Sequence, residues 1–207
     1  MRTRVIAVVA AVAAVAAAVL ATTGLAPARP ATSRPTPSPS SVTLTDPTDD
    51  LWVIGPGEDD WDPFPHSRPW VDVTGATVRH GTGAVTATFH FVDLRPGHWQ
   101  EFSLRVASDQ PFRRALVTTD RTHPGGRDRL LNRAEDLLSC PGLRHHVDYD
   151  ADTVRIRLAR ECVGDPAWVR AALQAHLFRE WDAIADNPHN TGPVPTYTRR
   201  LAPPAPR

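Results

Sequence analysis

The feature that most constrains this chain is a run of strict alternation in its middle. Val85, Ala87, Phe89 and Phe91 are interleaved with Thr86, Thr88 and His90. Only extended backbone puts every second side chain on one face, so this is a strand with one buried side and one wet side. The preceding stretch from Val71 to His80 is of the same kind and is expected to pair with it across Gly81-Thr82, a two-residue hairpin turn. Gly75 falls where the alternation changes phase, which predicts a bulge. Phe102, Leu104 and Val106 form a third strand, and Ala115 with Val117 mark a fourth. Val147 and Tyr149, then Val154, Ile156 and Leu158, flank Asp150-Ala151-Asp152 as a second hairpin. Short strands at this spacing, punctuated by many of the 21 Pro and 12 Gly residues, predict an all-β fold. The expected architecture is an antiparallel β-sandwich with one disulfide and at most a short helix.

Two segments are ambiguous on pattern alone. Residues 129–138 carry Leu130, Ala134 and Leu138 at helical spacing. Residues 167–179 read either as a helix through Val169, Leu173, Leu177 and Trp181 or as a strand through Val169, Ala171, Leu173, Ala175 and Leu177.

The N-terminus addresses the chain outward. Met1-Arg-Thr-Arg4 precedes an uncharged Val/Ala/Leu run, and Ala26-Pro27-Ala28 offers small residues for cleavage, so residues 1–28 read as a secretory signal peptide. A retained anchor facing outward is the alternative. Residues 29–45, rich in Pro, Ser and Thr, read as a disordered tether. That leaves 46–200 for one domain and 201–207 for a disordered tail. Export gives the two cysteines, Cys140 and Cys162, an oxidising setting in which they pair. The bridge spans the second hairpin and contributes about 3 kcal/mol by chain entropy. Pairing Val147 with Ile156 and Tyr149 with Val154 sets Cys162 opposite Pro141, one residue out of step, which an irregularity at Pro141-Gly142 absorbs.

Charge narrows the partners. The 23 basic residues are all Arg, and 23 acids balance them. A chain of zero net charge does not hold nucleic acid by bulk attraction. The acids cluster: Asp46, Asp49, Asp50, Glu58, Asp59, Asp60 and Asp62 stand in a stretch without Arg. Hard carboxylates on Gly/Pro-rich loops suit an extracellular calcium site, with Asp46, Asp49, Asp50, Asp59 and Asp60 as candidate ligands, although no EF-hand loop is present. A solvated acidic loop facing the Arg-rich body explains the same pattern.

Among six Trp residues, Trp52 and Trp61 lie inside this acidic segment and are the candidates for stacking on sugar rings. Trp70 and Trp168, at strand starts, read as core caps. Asp182, Asp186 and His189 are a further possible ligand set, set against the turn chemistry of Asn187-Pro188 and Asn190-Thr191-Gly192. His145 and His146, as strand neighbours, point to opposite faces and do not chelate one ion together. No nucleophile elbow is present and no cysteine is spare, so no catalytic residue is assigned.

The segments Asp46-Pro-Thr-Asp49-Asp50, Phe91-Val-Asp93-Leu94, Cys140 to Tyr149, Arg160-Glu-Cys162, Trp168-Val-Arg170 and Asp186 to Pro193 resemble a group of secreted actinobacterial proteins with no assigned activity. That resemblance implies a β-rich domain and tips Trp168 to Phe178 towards a strand. More distantly, the strand pattern resembles carbohydrate-binding sandwiches of the DOMON and family-nine type. The expectation is therefore a secreted, monomeric, non-catalytic module that binds an extracellular glycan, of cell wall or other polysaccharide, or a protein. Structural calcium is optional, nucleic acid is not a partner, and the membrane is met only through an uncleaved leader. A small carboxylate-based hydrolase and a protein-interaction or inhibitor module are the alternatives.

Overall fold

The computed structural model describes residues 39–55, 61–63, 70–189, 192, 194 and 195–205, with only the backbone described for 61–63. The signal peptide and residues 29–38 of the expected tether lie outside the described residues. Two antiparallel sheets pack together. The smaller has five strands in the order β1-β4-β5-β11-β10: β1 (Ser41–Thr45), β4 (Val73–His80), β5 (Ala84–Phe91), β11 (Thr153–Ala159) and β10 (Leu143–Asp148). The larger has eight in the order β3-β2-β13-β12-β6-β7-β8-β9. These are β3 (Trp61–Pro63), β2 (Trp52–Ile54), β13 (Ala183–Asp186), β12 (Val169–Phe178), β6 (Gln100–Ser108), β7 (Arg113–Thr119), β8 (Arg127–Leu131) and β9 (Leu137–Leu138). A single 3-10 turn, Arg160–Val163, is the helical content of the described residues.

The alternation does what period two requires. Ala87, Phe89, Val154 and Ile156 of the smaller sheet and Phe102, Leu104, Ala115, Val117, Ala171 and Leu173 of the larger are wholly buried against one another. Phe89, Phe91 and Phe102 form the aromatic centre, with Phe102 meeting Phe91 edge-on at 5.4 Å. The register of β4 on β5 shifts between Val73 and Gly75, so the expected bulge is present. A Cβ at Gly75 would sit 2.5 Å from the carbonyl oxygen of Leu44, so the edge strand β1 closes over a position that no larger residue fits.

Both ambiguous segments are strands. Residues 129–138 fold as β8 and β9 around a turn in which Asn132 Oδ1 accepts the N–H groups of Ala134 and Asp136. Residues 169–178 lie centrally between β6 and β13, and Trp181, which the helical spacing would have buried, is 81% exposed.

Three sequence expectations are corrected. The folded domain starts at Ser41 rather than residue 46, because Val42 and Leu44 alternate with hydroxyl residues and β1 pairs with β4 from Ser41↔Arg79 to Thr45↔Gly75. At the other end, Leu201 is fully buried, exchanges backbone hydrogen bonds with Val169 and accepts one from His80 Nδ1. The ordered chain thus passes the expected boundary at 200. In the second hairpin Val147 faces Val154 and His145 faces Ile156, two residues from the expected register. Asp148 Oδ1 accepts from the N–H groups of Asp150 and Ala151, which makes a longer turn than Asp150-Ala151-Asp152 alone. Cys140 and Cys162 form the disulfide, with Cα atoms 5.7 Å apart; the chain turns at Pro141-Gly142, where the Leu143 N–H bonds the Cys140 carbonyl, and Cys162 lies in the 3-10 turn.

Candidate functional site

The connection from β1 to β2 carries the chain from one sheet to the other, and it carries acids with it. Oxygens of Asp46, Asp50 and Asp186 lie within 4.8 Å of one another. Asp46 leaves β1 with its N–H bonded to the Thr74 carbonyl. Asp186, at the inward-facing end of β13, is 2% exposed and reaches across to the other sheet, where Oδ2 accepts the Val73 N–H at 2.7 Å. Its Oδ1 accepts the Asn187 N–H at 2.7 Å. Asp72 adds a fourth carboxylate: it is 1% exposed, Oδ2 accepts the Asp49 N–H at 3.1 Å, and Oδ1 is buried without a partner. Oδ2 of Asp46, both oxygens of Asp50 and Oδ1 of the buried Asn187 are likewise unpartnered.

Carboxylates crowded out of water hold their protons more tightly. Burial, reinforced by the charges of Asp186, Asp50 and Asp72, pushes Asp46 up to about 9. Burial raises Asp186 to about 7 against two backbone N–H bonds that lower it, and raises Asp72 to about 6. Asp50 is raised for the same reason. Buried oxygens in excess of donors are costly unless a cation or protons supply the missing positive charge. The donors are all hard oxygens, the set that suits Ca²⁺ or Mg²⁺ rather than a thiophilic metal.

Of the five acids singled out by sequence, Asp46 and Asp50 belong to this cluster. Asp49 does not: its side chain is exposed, and its backbone N–H is what serves Asp72. Asp59 and Asp60 lie outside the described residues, as does Glu58. The set Asp182, Asp186 and His189 is not brought together. Asp182 is ion-paired with Arg179, and His189 Nδ1 lies 2.7 Å from Thr196 Oγ1. His145 bonds Asp128 Oδ2 at 2.9 Å, whereas His146 is exposed on the opposite face, as strand parity requires. Trp70 stacks on His98 at 4.3 Å and packs on the core, and Arg200 covers the ring of Trp168 at 4.2 Å.

Trp52 stands two residues beyond Asp50 on the outward side of β2, opposite Ala185, which in turn is opposite His176 and then Glu101. In the next row Ile54, Ala183 and Phe178 follow, and the backbone register sets Trp61 opposite Ile54. Trp99, 56% exposed, stacks on Phe178 at 4.6 Å, and Phe178 lies 5.7 Å from the ring of His176. His176 is neutral at ordinary pH, because burial and the charges of Arg105 and Arg114 lower it to about 4, and its Nδ1 has no partner. An aromatic strip edged by Glu101 and Gln174 thus crosses the outer face of the larger sheet. No local pattern joins Trp99 to Phe178, which are far apart in the chain; the pairing of β6 with β12 does so.

Comparison of the chain with known protein families, with curated proteins and with solved structures yields no match at any of the three levels.

Proposed function

We propose that this protein is an exported, non-catalytic binding module that holds an extracellular glycan on the aromatic outer face of its larger sheet, with a calcium ion bracing the strand that bears Trp52. The observation carrying the reading is the Trp99–Phe178 stack beside His176 and Glu101, with Trp52 in the adjoining row. Flat aromatic faces cover the C–H patches of a sugar ring, while a carboxylate serves its hydroxyls. The disulfide fits an oxidising compartment, and among the described residues no helix is long and apolar enough to cross a membrane.

Calcium enters through Asp46 and Asp50. Neutralising these acids together with Asp72 and Asp186 would pin the β1–β2 connection to both sheets, because Asp186 also holds Val73 of β4. The buried oxygens of Asp46, Asp50 and Asp72 that have no partner support a cation there.

The test is retention of the purified oxidised protein on insoluble wall and polysaccharide preparations. Trp99→Ala, Trp52→Ala and Trp61→Ala are each expected to weaken retention by about tenfold or more, as loss of a stacking aromatic does. Melting temperature should hold for Trp99→Ala, whose ring is largely exposed. Retention equal to the parent in all three removes the aromatic strip as the binding face. A hydrolase is distinguished in the same assay by release of soluble sugar, abolished by Asp186→Asn.

A further inference from the structure

The outer face of the smaller sheet has a different chemistry, independent of the glycan reading. Its outward side chains fall into rows set by register. Ser41, Arg79, Thr86, Arg157 and Arg144 make one row; Thr43, Thr77, Thr88, Arg155 and His146 make the next. Arg79, Arg155, Arg157, Arg144 and His146 are exposed, and the Thr residues between them are half-buried. A shallow groove of about 490 Å³ runs over Thr77, Arg79, Thr86, Thr88, Arg155 and Arg157, and no acid lines it.

This arrangement costs the fold something. Arg144 stands directly opposite Arg157, and like charges facing each other across strands are destabilising; His146 stands opposite Arg155. Among the described residues neither Arg79, Arg155 nor Arg157 is paired with a carboxylate, although the chain as a whole has as many acids as bases. Arg144 turns its guanidinium onto the carbonyls of Pro141 and Leu143, which leaves its charge uncompensated. The acid at this edge, Asp148, lies 3.8 Å from His146 and serves the 150–151 turn.

We propose that this face binds an extended polyanion, specifically a ring-free polyol chain linked by phosphodiesters. Arg recognises phosphate oxygens with its planar fork, and Thr hydroxyls donate to the same oxygens. Arg155 and Arg157, two residues apart on one strand, present cations about 7 Å apart along β11, and Arg79 lies two strand spacings, about 10 Å, from Arg157. One monoanion per short repeat meets such a lattice. The absence of bases and sugar rings from the ligand follows from the absence of a stacking platform: the two rows contain Arg, Thr, Ser and His146 but no Trp, Tyr or Phe, whereas single-stranded nucleic acids and sugar rings are held largely by stacking.

The probe is a synthetic glycerol-phosphate oligomer of about ten units, titrated calorimetrically into the oxidised protein at about 50 mM salt, where such contacts are strong. The parent binds it, affinity falls steeply as salt is raised, and Arg155→Gln/Arg157→Gln weakens it by about tenfold or more. Trp99→Ala leaves it unchanged, so failure here and failure of the glycan reading are read separately. The double variant melts at or above the parent temperature, since it removes facing like charges, and its loss of binding therefore reports the surface. The proposal is overturned by no binding to the parent, by equal binding to the double variant, or by equal or tighter binding of an oligothymidylate or a sulfated polysaccharide of matched charge.

Discussion

The two sheets share one core but set their outward arginines in different company. On the larger sheet acids stand among the arginines: Arg114 pairs with Glu135 at 3.1 Å, Glu101 lies among Arg105, Arg114 and Arg129, and Arg105 also reaches Gln174 Oε1 at 3.3 Å. On the smaller sheet Arg79, Arg155 and Arg157 stand beside hydroxyls and, among the described residues, form no ion pair with an acid. Matched charge makes a quiet surface on which an aromatic strip can sit, and unmatched charge makes a field that attracts an opposite one. Inner faces obey packing, but outer faces are free to diverge, and here they divide the surface chemistry between them.

The comparison assumes that both faces depend on a single packed interior, and Phe102→Ala tests that. Phe102 is fully buried and touches Phe89 and Phe91 of the other sheet, so its loss should cost about 3–5 kcal/mol and lower glycan and polyanion binding together. Denaturant unfolding in which the two binding activities vanish at different midpoints would divide the molecule into independent halves. Next in size is the disulfide. Cys140→Ser/Cys162→Ser opens a loop whose ends are separated by 22 positions in sequence and should destabilise by about 3 kcal/mol. Because the bridge lies at the end of the β10–β11 hairpin, hydrogen exchange should quicken first in the smaller sheet.

Calcium sharpens the comparison from the other side. At a free concentration about a hundredfold above its dissociation constant, Ca²⁺ should add about 2.7 kcal/mol. The metal-free protein carries a pH signature as well. Asp46 is raised from its ordinary value near 3.8 to about 9, so the folded state holds a proton the unfolded chain has released. Stability in EDTA should therefore decline as pH rises through that window, with Asp186 and Asp72 adding to the decline up to about 7 and about 6. In Ca²⁺ the ion takes the place of those protons, and the decline should flatten. Thermal melts that superimpose in EDTA and Ca²⁺ from pH 5 to pH 8, roughly the range where these groups titrate, would falsify the calcium assignment. The smallest effect is Arg157→Thr, expected to stabilise by about 0.2–1 kcal/mol by removing the cation opposite Arg144. A loss of stability there would mean that the two arginines are not in conflict.

The strands were legible where one face is buried and the other is polar. The β4–β5 hairpin and its bulge follow from alternation and from Gly75, because burial of Ala87, Phe89 and Phe91 fixes parity. The β10–β11 register was missed by two residues, since a shift of two preserves parity and the apolar pattern is blind to it. Asp148, whose side chain shapes the turn, was the available signal. The carboxylate cluster was half legible. Asp46 and Asp50 are in the acidic run, but Asp72 and Asp186 are remote in sequence and are united by the crossing between sheets. Each nonetheless interrupts an apolar context, Asp72 between Val71 and Val73 and Asp186 at the inward parity set by Ile184. An acid in the place of a core residue is a hint that position alone does not complete. Trp52 was singled out for its acidic neighbours, yet its partners on the face, Trp99 and Phe178, come from a pairing of β6 and β12 that no local pattern encodes.

The clasp between Ala202 and Pro39 has a consequence of its own. The Ala202 N–H bonds the Pro39 carbonyl at 3.0 Å, so the polypeptide enters and leaves the sandwich side by side. A fold with adjoining doorways can be spliced into a surface loop of a host protein without being pried apart, and its ends can be joined and reopened elsewhere, for instance in the exposed 133–136 turn.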